Sequence, residues 1–397
     1  MRFIHTADWH AGRPFETIPD EAKRALVRNQ RIETIRRIGE KAREQDAGFI
    51  VVAGDVFDSN TPDSSTVSAL CSAVGEIGLP VIAIPGNHDY GGPGSIYEQA
   101  FFQKEAQNLA PNLRIILKPE PVEVNGAVIL ACPCLFGRSS MEATAWLNSK
   151  ELTAGLPVNR PRIILAHGSI YDFSAGSEQF SHEDEAGTAL SSVIDLDQIP
   201  EDLADYIALG DWHGTKQVHE KAWYSGTHEP DRFPRHQNYS SGNVLLVDLI
   251  RGGTPTVKPL TVGEFRWTRL SFHFSSDTDI QQLNVKINEL TGGQVGKDLM
   301  KLLIEGYAGM ETIKKVGEFL ETLKARFLML SCENRLRLRP DDHELMRLKE
   351  RRSDPIISSV AARLVEEMER GDDERTQRIS SLALIELYNA LIEGEYQ

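Results

Sequence analysis

Short apolar runs organise the first 260 residues. Residues 3–7, 49–53, 81–85, 163–166 and 206–209 are brief, mostly aliphatic and bounded by chain-breaking residues, which predicts buried strands. Residues 244–250 and 256–260 predict two more, and the segments between carry helical periodicity. From Phe265 the rhythm changes to strand 266–274, helix 278–290, strand 299–305, helix 311–326 and strand 327–332, a small βαβαβ module. Beyond Pro340 there is no strand signal. Residues 356–369 and 374–392 read as two amphipathic helices separated by the breaker Gly371-Asp372-Asp373. The second carries Ile379, Leu382, Ile385, Leu387 and Leu391, more apolar surface than a helix leaves in water. Three parts follow: 1–262, 263–340 and 341–397.

Each of the five leading runs stops on polar side chains suited to metals. In order these are Asp8/His10, Asp55, Asn87/His88, His167 and Asp211/His213, in the motifs DWH, GDVFD, GNHD, AHG and GDWH. Ligands just past strand ends are typical of open α/β sheets, where the loops leaving parallel strands converge. Any one motif is weak, since a single buried His is more often a hydrogen-bonded core residue. The ordered set outweighs that reading. Carboxylate and amide oxygens mixed with imidazole nitrogens suit manganese, iron or zinc, whereas an all-oxygen cage suits calcium or magnesium and thiolates suit structural zinc. Asp55 is the best placed to bridge two ions.

Composition bounds the remainder. The chain has 397 residues, 41% of them hydrophobic, enough for more than one core. It has no apolar run of membrane-spanning length, and the ligand-bearing start is unlike a signal peptide, so no membrane partner and a cytoplasmic location are expected. The four cysteines, Cys71, Cys132, Cys134 and Cys332, agree with that location, and Cys132 and Cys134, a CPC at the end of a strand, are expected to pack in the core rather than bind metal or form a disulfide. With 43 basic and 58 acidic residues the net charge is −15, unfavourable for a nucleic-acid binder, although bound cations offset ligand carboxylates and local patches count for more than the sum.

The motifs DWH, GDVFD, GNHD, LAHG and GDWH resemble the calcineurin-like metallophosphoesterase superfamily. Within it, the opening MRFIHTADWH, the segment YSGTHEPDRF at residues 224–233 and the overall length are similar to SbcD-type DNA double-strand-break repair nucleases. The resemblance covers residues 1 to about 260 by motif. It implies a four-layer α/β/β/α sandwich with a small α/β cap domain and C-terminal helices. It also implies two divalent ions, most plausibly Mn2+, one held by Asp8, His10, Asp55 and His213, the other by Asp55, Asn87, His167 and Asp211. Asp211 stands where the family usually has His. His88 is then the general acid and Asp58 the carboxylate that orients it; the competing reading of Asp58 is a turn cap. DNA is the implied substrate, cleaved as exonuclease, endonuclease or both. An SMC-like coiled-coil ATPase of SbcC type is the implied partner through the C-terminal helices, and a homodimer is a further expectation.

Other residues carry blander expectations. His5 is read as a structural hydrogen-bond partner, His182 as solvated in an acidic loop, and His219 and His228 as surface residues. Arg24, Arg28, Arg31, Arg36 and Arg37 form a basic helix face, and Arg232 and Arg235 a smaller patch; for the helix a solvated face is favoured over DNA contact. Weak, salt-sensitive DNA binding by this subunit alone follows. Residues 90–95, YGGPGS, are read as a flexible loop beside His88 that admits substrate. The rival functions are a small-substrate or cyclic-nucleotide phosphodiesterase, a phosphoprotein phosphatase, and a non-catalytic scaffold for an ATPase. Ser59-Asn60 after the second motif argues against the phosphatase.

Overall fold

A computed structural model describes the chain outside residues 137–142, 150–151, 153–154, 171–192, 235–238, 294, 371–372 and 396–397. The chain divides into two compact units, Met1–Arg266 and Trp267–Gln397.

The first unit holds two six-stranded sheets. In one, β1 (Arg2–Thr6), β2 (Ile50–Ala53), β3 (Val81–Ile84) and β4 (Leu113–Ile115) run parallel, connected by α1 (Glu21–Glu44), α2 (Ser64–Ile77) and α3 (Ala100–Leu109). In the other, β5 (Glu120–Val124) pairs antiparallel with β6 (Ala127–Cys132), which runs parallel to β7 (Arg162–His167). A short parallel pair, β8 (Ser169–Ile170) and β9 (Val193–Ile194), lies beyond. β10 (Tyr206–Gly210) follows β7 in the sheet, then β12 (Ala222–Tyr224), with β11 (Lys216–Gln217) at the edge. β13 (Asn243–Asp248) returns antiparallel to β1 and is bordered by β14 (Thr256–Thr261).

The leading runs are continuous because most of their side chains are buried on both faces. On β1 and β2, Ile4, Ile50 and Val52 face the helices with Ile35, Leu70 and Val74. Phe3, Phe49 and Val51 face the second sheet with Ile129, Leu165 and Tyr206. The outer face of the second sheet packs Leu130, Ile164 and Leu209 on Leu147 and Leu203. Burying such side chains contributes about 1.5–3 kcal/mol each, so the sandwich is a rigid platform for what its strand ends carry. The helix starts are written locally: Asp20 accepts from Lys23 N and Asp63 from Thr66 N, the N-cap role in which a carboxylate satisfies an otherwise unpaired amide.

In the second unit, β15 (Arg266–Phe274), β16 (Asp298–Ala308) and β17 (Met329–Leu338) form a sheet with α4 (Asp279–Thr291) and α5 (Met310–Arg326) between them in sequence. Phe274, Leu283, Ile304 and Val316 share its core. α6 (Asp342–Lys349), α7 (Pro355–Arg370) and α8 (Glu374–Glu395) follow, and Leu348, Ala361, Val365 and Leu384 pack together. α8 also docks on the sheet: Asn389 pairs both ways with Leu338, and Glu386 meets Tyr307 and Arg337. Two turns nearer its N-terminus on the same helical face, Ile379 and Leu382 remain exposed, as do Ile356 and Val360 on α7. No helix among the described residues is long and apolar enough to cross a membrane.

Candidate metal centre

Backbone hydrogen bonds stitch the loop that leaves β1 to the one that leaves β2, and the loop that leaves β7 to the end of β10. Asp8 N donates to Gly54 O at 3.1 Å, His10 N to Asp55 O at 2.9 Å and Gly168 N to Gly210 O at 3.2 Å. The turns are tight enough to place Asp8, His10, Asp55 and Asp211 at φ of 53°, 42°, 51° and 102°, a left-handed region that costs a side-chain-bearing residue roughly 1–2 kcal/mol. The glycines of the motifs are there for clearance. A Cβ on Gly54 would lie 2.2 Å from His167 Nδ1, and one on Gly86 2.0 Å from Asp55 Oδ1.

Around this frame the polar atoms form two groups that share one carboxylate. His10 Nε2 faces His213 Nε2 at 3.1 Å, and His167 Nε2 faces Asn87 Oδ1 at 3.1 Å. Asp55 Oδ2 is 3.5 Å from both His10 Nε2 and His167 Nε2. Asp211 Oδ1 lies 3.8 Å from His167 Nε2. Two ligands bound at roughly 2.0–2.2 Å to one ion sit about 3.0–3.5 Å apart, so these separations suit the edges of two coordination shells meeting at Asp55. Asp8 Oδ2 is buried without a hydrogen-bond partner, while Asp8 Oδ1 accepts from Asp211 N. An orphaned buried carboxylate oxygen is costly unless a cation completes it. The donor set therefore fits two divalent ions. Asp8, His10 and His213 form one compact group of ligand atoms, Asp8, Asp55 and His167 another, and His10, Asp55 and His88 a third.

Partners behind the ligands fix their orientation. His167 Nδ1 meets Ala53 O at 2.8 Å, leaving Nε2 toward the centre. His213 Nδ1 has two competing neighbours at 2.8 Å, Asp231 Oδ2 and Arg232 Nη2, which demand opposite tautomers. Only the bond to Asp231 leaves Nε2 a free lone pair, so that is the metal-binding form. Asp58 sets its carboxylate 3.1 Å from His10 Nδ1, without hydrogen-bond alignment. Its backbone carbonyl, not the carboxylate, meets His88 Nδ1 at 3.0 Å. His88 Nδ1 is thus held by the peptide oxygen of Asp58, and the Asp58 carboxyl is close enough to feel the charge of that ring.

Electrostatics follow from burial of like charges. Burial, with Asp55 and Asp211 nearby, pushes the Asp8 carboxyl up to about 8. Burial also lifts Asp55 to about 6. At His167 burial opposes the imidazolium, but Asp55, Asp211 and Asp8 outweigh it and raise the ring to about 9. Burial, then His213, His88 and Arg13, holds His10 well below its ordinary value, and burial with Arg232 lowers His213 to about 4. Two neutral imidazoles, a proton-holding carboxyl and the protonated ring of His167 are what a cation would meet and would have to deprotonate.

Several contributors were not anticipated from sequence. Asp89, the last residue of GNHD, is buried and accepts from Phe57 N, Gly86 N and Tyr97 Oη, binding the second and third motifs together. Ser169 Oγ donates to Asp211 Oδ2 at 2.7 Å. Arg31, expected on a solvated helix face, is buried instead and donates to Asp8 O, Trp9 O, Glu229 O and Thr227 Oγ1. The sharp turn at Asp8 and Trp9 aims their carbonyls at the helix, and only a guanidinium fork reaches them all. His228, expected at the surface, is fully buried with Nε2 against Arg31 O. His219 is exposed and His5 is a buried partner of Tyr206 Oη, both as expected. The other helix arginines are neutralised: Arg24 and Arg28 by Glu21, Arg36 by Glu33 and Glu76, Arg37 by Glu264. Residues 90–95 are pinned rather than free, with Gly91 N on Cys134 O and Gly94 N on Glu98. Cys71, Cys132 and Cys134 are buried thiols. His182 and Arg235 lie outside the described residues.

A two-sheet α/β sandwich whose strand ends gather Asp, Asn and His about a shared carboxylate defines a metal-dependent phosphoester hydrolase. The family model for calcineurin-like phosphoesterases matches residues 1–253, and the chain belongs to that family. Among solved structures it is similar to TT1561 of Thermus thermophilus, at 17% identity, covering 65% of this chain and 98% of that one with a TM-score of 0.39.

Proposed function

We propose that this phosphoester hydrolase is a manganese-dependent DNA nuclease, acting on phosphodiester bonds in double-strand-break repair as the SbcD-type subunit of a complex with an SMC-like ATPase. The observation that carries the hydrolytic part is Asp55 Oδ2, equidistant at 3.5 Å from Nε2 of His10 and Nε2 of His167. Two ions bound there would supply activated water and charge neutralisation for in-line attack on phosphorus. The protein's own part is to orient and to move a proton. His88, whose Nδ1 is held by Asp58 O and whose ring stands edge-on to His10 at 4.7 Å between centroids, offers Nε2 as the proton donor to the leaving oxygen.

Two features support a nucleic-acid substrate over a small one. The segment YSGTHEPDRF contributes Asp231, which backs His213. The chain also continues past the matched region into a second unit of its own, Trp267–Gln397. The exposed Ile379 and Leu382 suit a helical partner. The test is cleavage of single- and double-stranded DNA by the purified chain with manganese, beside 2′,3′-cyclic AMP and a phosphoserine peptide. Chelator-sensitive DNA cleavage exceeding both small substrates is expected. The reverse order selects the small-substrate reading, and metal-loaded protein inert on all of them selects the scaffold.

A further inference from the structure

Two arginines stand near the DWH motif and differ in how their donors are used. Arg31 is buried and donates to four separate acceptors. Arg13 does not. Its backbone N is tied to His10 O at 3.1 Å, so its position is locked to a metal-ligand residue. Its side chain is 19% exposed, and Nη1 lies 3.4 Å from Asp231 Oδ2 and 3.6 Å from Asp58 Oδ1. Those separations exceed the about 2.7–2.9 Å of a direct guanidinium–carboxylate bond. Both carboxylate oxygens already face imidazoles, Asp231 that of His213 at 2.8 Å and Asp58 that of His10 at 3.1 Å. No described residue accepts a hydrogen bond from the Arg13 guanidinium.

The group is nonetheless held in place. The Phe15 ring, buried on a backbone with φ of 52°, lies 6.0 Å from the guanidinium carbon of Arg13 and 5.9 Å from that of Arg31. A planar fork resting near an aromatic ring and drawn by two flanking carboxylates keeps its direction, with donors to spare. Such a group recognises a tetrahedral oxyanion, for which guanidinium geometry is well matched.

We propose that Arg13 is the phosphate-anchoring residue of this centre, donating to a non-bridging oxygen of the substrate phosphoester on the side formed by His10, His213 and Asp58. This rests on the phosphoester-hydrolase reading above and adds to it the group that holds the anion. The competing role is a brace that only balances the charges of Asp58 and Asp231. The two roles separate by experiment. As a brace, Arg13 governs metal retention and is replaceable by any cation; as an anchor, it governs oxyanion affinity after the metals are bound, and its fork matters.

The test uses full-length manganese-loaded protein, with inorganic phosphate titrated by calorimetry and bis(4-nitrophenyl) phosphate as substrate. In Arg13→Gln, manganese content should stay at the wild-type value while the phosphate Kd rises tenfold or more and KM rises with it. Arg13→Lys should fall between the two. A phosphate Kd within twofold of wild type in a fully loaded Gln variant overturns the proposal. So does metal loss in the Gln variant that Lys restores together with full phosphate affinity. If the Gln variant does not fold, the Lys variant decides: wild-type phosphate affinity refutes the anchor, and weakened affinity with full metal content sustains it. Wild-type protein that binds no manganese overturns the parent reading as well, whereas loaded, active wild type beside an unaffected variant overturns this one alone.

Discussion

Loading the metal centre should expel protons, and the number can be worked from the site. Coordination requires Asp8 and Asp55 ionised and His167 neutral. In the metal-free protein Asp8 is pushed up to about 8 by burial, and Asp55 up to about 6. His167 is raised to about 9 by its three carboxylate neighbours against the pull of burial. At pH 7 Asp8 and His167 both lie below their raised values and hold protons, so loading releases protons from the interacting Asp8, Asp55 and His167 cluster, up to about two. Manganese affinity should then climb by up to about a hundredfold per pH unit around neutrality and level off above about pH 9, each tenfold step being about 1.4 kcal/mol.

The same shifts make the metal-free protein lose stability as the metal gains affinity. Asp8 and His167 have raised values, so the folded chain keeps protons that the unfolded chain has shed. For Asp8 this holds from the ordinary carboxylate range up to about 8, and for His167 from 6.5 up to about 9. Stability from these groups is greatest below those windows and is lost as pH rises through them. His10 and His213, whose values are lowered, act in the opposite sense below 6.5. Between pH 6.5 and 9 the melting temperature of chelator-treated protein should fall while that of loaded protein holds, so the gap widens. Calorimetric titration of manganese in two buffers of different ionisation enthalpy counts the protons. Heats that do not depend on the buffer, or a metal-free melting temperature that is flat across the window, would refute the reasoning.

Further outcomes are specific to single residues. His88→Ala should retain its manganese and lose roughly 10²–10⁴-fold in hydrolysis; metal loss measured by elemental analysis would instead make His88 a ligand. Asp211→Ala should drop the bound metal from two ions to one, and Asp211→His should restore the second, both read by metal stoichiometry. Arg31→Met strips the buried donors from the Asp8, Trp9 and Glu229 carbonyls, so urea unfolding should show a loss of about 3–5 kcal/mol, at about 1–3 kcal/mol for each buried acceptor left unpaired; a loss under about 1 kcal/mol would mean that the carbonyls find other partners. Ile379→Asp alters an exposed apolar position and should leave DNA hydrolysis unchanged while abolishing co-purification with a coiled-coil ATPase. An intact complex would remove α8 from the docking surface.

Much of the first unit was legible because five of its strands, β1, β2, β3, β7 and β10, are buried on both faces, which makes them read as unbroken apolar words, and because each of the five leads into a candidate ligand. What was not legible depends on where peptide groups point. Arg24, Arg28 and Arg31 are spaced as a helix spaces a solvated ridge, yet Arg31 alone turns inward, because the left-handed turn at Asp8 presents carbonyls to that one position. His228 was lost for the same reason, its partner being Arg31 O. Asp231 lay in a quoted segment, but its role depends on reaching His213 across 18 residues of chain, a distance no local pattern encodes. Other misses had signals. Asp341 and Glu344 form a reciprocal capping box at the start of α6, and Leu336 and Leu338 continue the two-residue rhythm of Leu330 and Cys332 that lengthens β17 past Cys332.

Backbone strain and buried charge coincide at the ligands. Four candidate ligand residues, Asp8, His10, Asp55 and Asp211, occupy the left-handed region, at roughly 1–2 kcal/mol apiece. A metal-free centre also keeps the Asp8 and Asp55 carboxyls away from water, with a proton held on Asp8 in place of a cation. Neither cost serves folding, and the arginine, serine and aspartate partners behind the ligands hold the geometry against both. A fold that spends stability to keep oxygens and nitrogens converging has been shaped for something that enters afterwards and carries positive charge. That is why the proton count and the pH dependence of melting are sharper tests of this centre than loss of activity: they read the protons that stand in for the cations, before any substrate is added.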